Sequence, residues 1–350
     1  MWTLTTTLKA KTGDVIEGVA GETILDGGNV VPESFDGSGS AVDVMIRSLV
    51  VQHYNAKGLR LNTGWIADGV ESRYNAEGVA ILGNGAILEN SSIHDNGQVH
   101  ITGMSNSFGV ASNTATNAQV LGNDIYDNNT GCNPVAQDGG GAGASKFWDS
   151  SGFLLAGNTW HDNYGNGIWL DGSSTDFTIV DETTLNNTSA CPLGSVGGGQ
   201  GIRIEVSCGN VIDSNTVSGN SLGGIFLDDS FGDTVQNNSI SLPASATVGM
   251  RSLDVARTAP NNGSYFSTCG GGGFNAEHNQ FIQNDVTYST TKQRSGTWQG
   301  SGQDTANNSF QGNVYHTPSC AYKQWVWLST GKLWTKWVTV FGQDVTGSCG

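Results

Sequence analysis

The chain has 350 residues, including 51 Gly and only 6 Pro, with 13% charged residues and a net charge of -16. That charge argues against nucleic acid or an anionic membrane as partner, since both repel an acidic surface. No run of some 18 apolar residues is present to span a bilayer. An ordinary globular chain is about a quarter charged; this one offers neutral Asn, Ser and Thr instead, which suits stacked turns and contacts to sugars. The opening Met1-Trp2-Thr3-Leu4 has neither a basic n-region nor an apolar h-region. Either the chain is a mature form or it is cytosolic.

Read from the start, the chain repeats a Gly followed by an alternating strand. Gly58-Leu59-Arg60-Leu61 and Gly78-Val79-Ala80-Ile81 are the first two copies, 20 residues apart. Gly167-Ile168-Trp169-Leu170, Gly201-Ile202-Arg203-Ile204 and Gly224-Ile225-Phe226-Leu227 follow, the last two 23 residues apart. Between these lies a second motif, a short apolar strand interrupted by paired asparagines. Val120 to Asn128, Leu155 to Asn163 and Ile212 to Asn220 are clear copies; Leu88 to Asn96 is looser, and Val235 to Ile240 begins another. A period near 20 to 25 with β patterning and no helical stretch marks a solenoid. One unit cannot bury its apolar face alone, so coils stack and share a core. Asparagine at each turn then bonds the next coil as a ladder, which makes these residues scaffold rather than site.

This repeat resembles the right-handed parallel β-helix superfamily of carbohydrate-binding proteins and sugar hydrolases, which includes pectate lyases and polygalacturonases. Gly13 to Gly18 and Thr23 to Gly28 look like the first coils of such proteins, and Val44 to Gln52 like the next. The resemblance implies an all-β, single-stranded right-handed parallel β-helix of about ten coils over residues 1–315, with a Trp-rich cap over 316–350. It implies no particular reaction, because this fold hosts lyases, hydrolases, epimerases and non-catalytic spikes. Of the polygalacturonase signatures only Asp228-Asp229 and Arg203-Ile204 stand here, without Gly-His-Gly or Asn-Thr-Asp. The alginate epimerase motif Tyr-Gly-x-Asp-Pro-His is also absent, since Tyr164-Gly165 runs on into Asn166-Gly167.

Three insertions break the period. They carry Cys132 with Gly139 to Gly141, Cys191 with Gly197 to Gly199, and Cys269 with Gly270 to Gly273. Stacking puts the first two on one side, either as walls of a cleft or as tolerated surface loops. The cysteines, completed by Cys208, Cys320 and Cys349, form no CxxC pair, so a zinc site is not indicated. Their even number fits disulfides, with Cys320–Cys349 the favoured pair because it would tie down the cap, and hence a secreted or cell-surface protein.

The chemistry is sought where outward residues break the scaffold rules. Alternation sends Ile168/Leu170, Ile202/Ile204 and Ile225/Leu227 inward. Trp169, Arg203 and Phe226 then form one outward column, and Asp171, Glu205 and Asp228 a second, with Asp229 a fourth carboxylate. Lys146 falls one coil earlier beside Trp169, and Arg251 extends the column at the far side. Three carboxylates in register repel and raise at least one pKa; acid/base work, a bound cation or a solvated polar edge are the three readings. As a glycoside hydrolase, the expected catalytic residues are Asp171, Glu205, Asp228 and Lys146, with Trp169, Arg203, Phe226, Asp229 and Arg251 binding a polysaccharide by stacking and hydrogen bonds; no cofactor is required. As a lyase on a uronate polymer, Asp171, Glu205 and Asp228 would hold Ca²⁺, with Lys146 or Arg203 as base. As a non-enzyme, the same surface would serve an adhesin or spike. His94 and His161, each before Asp-Asn, read as turn decoration. In the tail, Trp325, Trp327, Trp334 and Trp337 crowd between Cys320 and Cys349, and Trp337 to Asp344 resembles a closing strand. A solenoid end must be covered; a sugar-stacking platform is the alternative for these rings.

Overall fold

The computed structural model describes residues 1–36, 41–97, 106–134, 141–254, 275–299 and 307–350. Each turn of the chain contributes one strand to each of three faces. Met45–Arg47, Val50–Gln52 and Lys57–Leu61 make one coil, and Ile66–Asp68, Glu71–Arg73 and Glu77–Ile81 the next. Corresponding strands pair in parallel, building sheets of 13, 11 and 11 strands. The chain is therefore a parallel β-helix. Its described residues hold one short α-helix, Trp334–Thr339.

The strands are short because each coil turns a corner every few residues. In a three-residue strand only the middle side chain points inward. Strict register stacks those middle residues, as in Ile46, Ala67, Leu88 and Val120, all fully buried. Toward the far end the column becomes aromatic, with Phe281 and Phe310 stacked 4.4 Å apart.

Asparagines carry the corners, as the repeat predicts. Along one edge Asn75, Asn96, Asn128, Asn163, Asn187 and Asn220 bond amide to amide at 2.9–3.1 Å. A second ladder runs from Asn123 to Asn158 at 2.8 Å and ends where Asn313 donates to Asp344 at 2.7 Å. The glycine that leads each long strand has a steric cause: a Cβ on Gly224 would lie 2.4 Å from the Gly249 carbonyl and 2.6 Å from Ile240.

Three ladder positions carry acids. Glu182 accepts from the Asn158 amide at 2.7 Å and from the Trp160 indole, and burial pushes it up to about 8. Asp344 ends its ladder, also raised by burial. Asp233 accepts from Asn210 N and Nδ2, both at 2.9 Å, while its Oδ2 has no partner.

Disulfides join Cys132 to Cys191 and Cys320 to Cys349, the latter the favoured pair; Cys208 is also oxidised. The third insertion, with Cys269 and Gly270 to Gly273, lies outside the described residues, as do Gly139 and Gly140. In the tail, Ser348–Cys349 extends the largest sheet by pairing with Val314–His316. The strand expected over Trp337 to Asp344 is corrected: Trp334–Thr339 is helical. Spacing of three residues puts Trp334 and Trp337 on one helix face, and that face lies on the core. Trp337 is fully buried, packs edge-on to Phe310 at 5.1 Å and donates to Asp344 at 2.9 Å. With Trp325 equally buried, these rings cover the column end rather than present a platform.

Asp233 makes ladder chemistry testable. Burial pushes its carboxyl up to about 7, against about 3.9 in an unfolded chain. Its stabilising contribution is thus full below about pH 4 and is lost as pH rises through about 7. Asp233→Asn restores the usual ladder amide, whose Nδ2 at the next position, Asn279, donates to the Ser230 carbonyl at 2.7 Å. Chemical denaturation should find the variant more stable at pH 8 by roughly 2–4 kcal/mol and little changed at pH 4. Equal stability at pH 8 contradicts the account.

Candidate active site on the long sheet

One face carries the longest strands, from Lys57–Leu61 to Val248–Asp254 and beyond. Its register is the one alternation predicts. Trp169 pairs with Arg203, Arg203 with Phe226 and Phe226 with Arg251; Glu205 pairs with Asp228. The pairing of Phe147 with Leu170 and Trp148 with Asp171 places Lys146 beside Trp169. Sequence-picked residues from five strands thus converge on one outer surface.

The acids are not left to repel one another, because cations interleave with them. Lys146 Nζ is 2.9 Å from Asp171. Arg203 bridges two coils, 3.0 Å from Glu205 and 3.2 Å from Asp228. Arg251 grips Asp228 with its Nη2 at 2.7 and 2.8 Å from the two oxygens. Asp228 is 1% exposed, which is tolerable for a charge only with such pairing. Asp229 lies beside it, 3% exposed, at a backbone φ of 52°. Asp171 retains more solvent contact, with a side chain 20% exposed. Burial holds its carboxyl above the ordinary range; Lys146 pulls it back down and Glu205 pushes it further up.

The two rings behave differently from the expectation that they stack on sugars. Trp169 is 3% and Phe226 1% exposed. The Lys146 ammonium sits 3.9 Å from the Trp169 centroid, with the Arg203 guanidinium at 5.4 Å, and Arg251 lies 4.2 Å from the Phe226 centroid. Cation–π attraction in a desolvated setting holds these contacts. The rings therefore form the floor of the site, and the cations and Asp171 form its surface. The loops of the first two insertions do share one side, since Cys132 and Cys191 are bonded, and they pack with Phe108, Ala111 and Trp169.

Two features of this face were missed in the sequence. Trp148 lies in register with Asp171, its indole over Gly172, where a Cβ would come within 1.8 Å of Nε1; its parity with Lys146 was the available signal. At the first coils, Lys57 stands 3.9 Å from Glu77 and Arg60 3.5 Å from Glu33, and burial pushes Glu77 up to about 7. Lys57 and Glu77 immediately precede Gly58 and Gly78, so the Gly-led alignment already stacked them.

His94 and His161 belong to the 13-stranded sheet, at strand ends rather than in turns. They stack on Tyr126 at 4.7 and 5.1 Å, and carboxylates hold both nitrogens of each, as with Asp95 and Glu71 around His94. Among the described residues no group of three or more His, Cys, Asp or Glu side chains converges as a metal shell. Asp171, Glu205 and Asp228 do not fit one as arranged, because Arg203 stands between Glu205 and Asp228. Among the same residues no helix is long and apolar enough to cross a membrane.

Residues 58–240, more than half of the chain, match the family of the right handed beta helix region, and the chain belongs to that family. No curated protein matches it. Among solved structures it is similar to the Azotobacter vinelandii mannuronan C-5 epimerase AlgE4 A-module, with a TM-score of 0.55 and 14% identity over 88% of this chain and 78% of that one. The corresponding AlgE6 module gives 0.53 and 14% over 89% and 81%. The Dettilon tailspike protein gives 0.53 and 14% over 93% of this chain, which spans 62% of the tailspike chain. These likenesses are likenesses of fold.

The interleaved charges predict a large stability effect. Arg251→Met strips one clamp from buried Asp228 and should cost about 2–4 kcal/mol in urea unfolding. Adding Asp228→Asn should recover part of that loss. Additive losses in the double variant would show that the pair is not coupled.

Proposed function

We propose that this protein is a secreted or cell-surface β-helix that binds a polysaccharide along the long sheet and cleaves its glycosidic bonds by carboxylate acid/base chemistry. The observation that carries the reading is the Asp171–Glu205 pair. The two acids occupy equivalent positions on adjoining coils, with backbones about 4.8 Å apart. That suits the roughly 5–5.5 Å between carboxyls in a retaining glycosidase. Asp171, partly exposed and raised by burial and by Glu205, suits the general acid that protonates the leaving oxygen. Glu205, held by Arg203 and the Trp169 indole, suits the ionised partner that attacks the sugar. Lys146, Arg203 and Arg251 present donors to sugar hydroxyls, with Asp171 holding the lysine and Asp228 the two arginines. The disulfides support an oxidising compartment. Two of the similar structures are modules named for a polysaccharide, mannuronan.

A metal-assisted lyase would need Asp171, Glu205 and Asp228 to share an ion; Arg203 supplies that charge instead, and we assign the site no metal. Lys146, 2.9 Å from Asp171, keeps metal-free elimination as a second chemistry for the same site.

Digesting a polysaccharide panel tests the reading. New reducing ends without ultraviolet-absorbing unsaturated products are expected; unsaturated products would mean a lyase, and neither would mean a binder. Glu205→Gln and Asp171→Asn should each lower the rate about 10²–10⁴-fold with the fold intact by thermal melt. Asp171→Asn should also flatten the alkaline limb of the pH profile, because the acid must be protonated to act. Full activity in both variants overturns the assignment.

A further inference from the structure

Trp169 combines three contacts that meet at no other residue of the site. Its indole N–H donates to Glu205 Oε2 at 3.0 Å. The Lys146 ammonium rests on its ring at 3.9 Å. Its remaining surface packs into a small apolar cluster outside the main core, with Phe108, Ala111, Cys191 and Val196. Cys191 is bonded to Cys132. The two cysteines lie in loops that follow Asn128 and Asn187, ladder residues two coils apart, and the coil between supplies Tyr164 to the same cluster.

We propose that Trp169 is the positioning residue of this site, and that the Cys132–Cys191 loop pair holds it in place, so that one indole fixes Glu205 and Lys146 together. This rests on the acid/base reading given above. The physical argument is restraint. A lysine side chain has about 2 kcal/mol of rotamer entropy to lose, and an aromatic face gives its head one preferred seat. A carboxylate that accepts an N–H bond is held in its ionised form and pointed in one direction. The ring transmits both restraints only if it cannot tilt. The disulfide-linked loops prevent tilting by closing over it from two coils at once. A misplacement of about 1 Å at reacting groups costs on the order of 10²-fold in rate, so a buried ring with no substrate contact still governs turnover.

The other charges facing Glu205 are Arg203 on its own strand, Asp171 on the preceding coil and Asp228 on the following one, with Lys146 and Arg251 a further coil away on either side. Trp169→Phe leaves all of these charges in place and keeps an aromatic face for Lys146, while it removes the N–H together with part of the ring. In that variant the Glu205 carboxyl should titrate higher by roughly half to one pH unit. The acid limb of the cleavage profile should move by the same amount, with kcat falling and KM little changed. Carbon-13 NMR of carboxyl-labelled glutamate reads the titration directly, with Glu205 assigned by its loss in Glu205→Gln. That measurement needs no cleavage, so it separates failure of this proposal from failure of the enzymatic reading. Replacing Cys132 and Cys191 together by Ser should speed hydrogen exchange of the Trp169 indole at least tenfold and shift Glu205 in the same direction. An unmoved Glu205 titration in Trp169→Phe, or unchanged indole exchange in the double serine variant, overturns the proposal.

Discussion

Parallel pairing in register between coils, shifted on the long sheet where Val248–Asp254 meets Arg294–Gln299, is the constraint from which the rest of this molecule follows. Side chains alternate with a period of two, so a slip of one residue would turn Trp169, Arg203 and Phe226 into the core and expose the isoleucines beside them. The asparagine ladders oppose such a slip. Most of these amides bond their counterpart on the next coil and a backbone carbonyl on the preceding one, as Asn128 does with Asn163 and Ile93, and each is buried, so a displaced coil would strand polar groups without partners. Scaffold and site are linked in this way: the same turns that stack Asn163 on Asn187 and Asn220 bring Asp171, Glu205 and Asp228 into line.

Much of this was legible in the sequence because it depends on Cα positions alone. Gly-led strands with Ile or Leu at the second and fourth places fix the inward pair, and therefore the outward columns. The ladders and the company of Lys146 with Trp169 follow from the same alignment, while the Cys320–Cys349 bond was favoured because it would tie down the cap. What was not legible depends on where long side chains go after leaving the backbone. Sequence places Arg203 between Trp169 and Phe226, but only geometry shows its guanidinium reaching Glu205 and Asp228 at once. Nor does sequence show that Lys146 and Arg251 lie over the rings. Cys132–Cys191 was one pairing among the 15 that six cysteines permit. The helix at Trp334–Thr339 escaped because a tail without repeats offers no neighbour to align against.

The charge economy of the chain gives the long sheet its character. Of 15 basic residues in the protein, Lys57, Arg60, Lys146, Arg203 and Arg251 lie on this one face, each against a carboxylate. Elsewhere acids are buried differently, as proton-holding substitutes for asparagine at Glu182 and Asp233. Two solutions to the burial of a carboxyl thus coexist. Ion pairing orients the carboxyls of the long sheet, while within a ladder burial pushes the carboxyl up toward its neutral form.

The position of the disulfides bears on how such a molecule would come apart under load. A solenoid is a stack of weakly independent units, and it opens from whichever end has the least to hold it. Cys132–Cys191 spans 59 residues and binds non-adjacent coils into one block, while Cys320–Cys349 pins the last turns to the cap. The first cysteine in the chain is residue 132, so the earlier coils hold to the stack by hydrogen bonds, ion pairs and packing, without a disulfide. Pulled from its N-terminal end, the stack would unwind like thread from a spool up to the first staple and stop there, losing Lys57 and Arg60 but leaving Lys146 with Asp171 and Arg203 with Glu205 still wound.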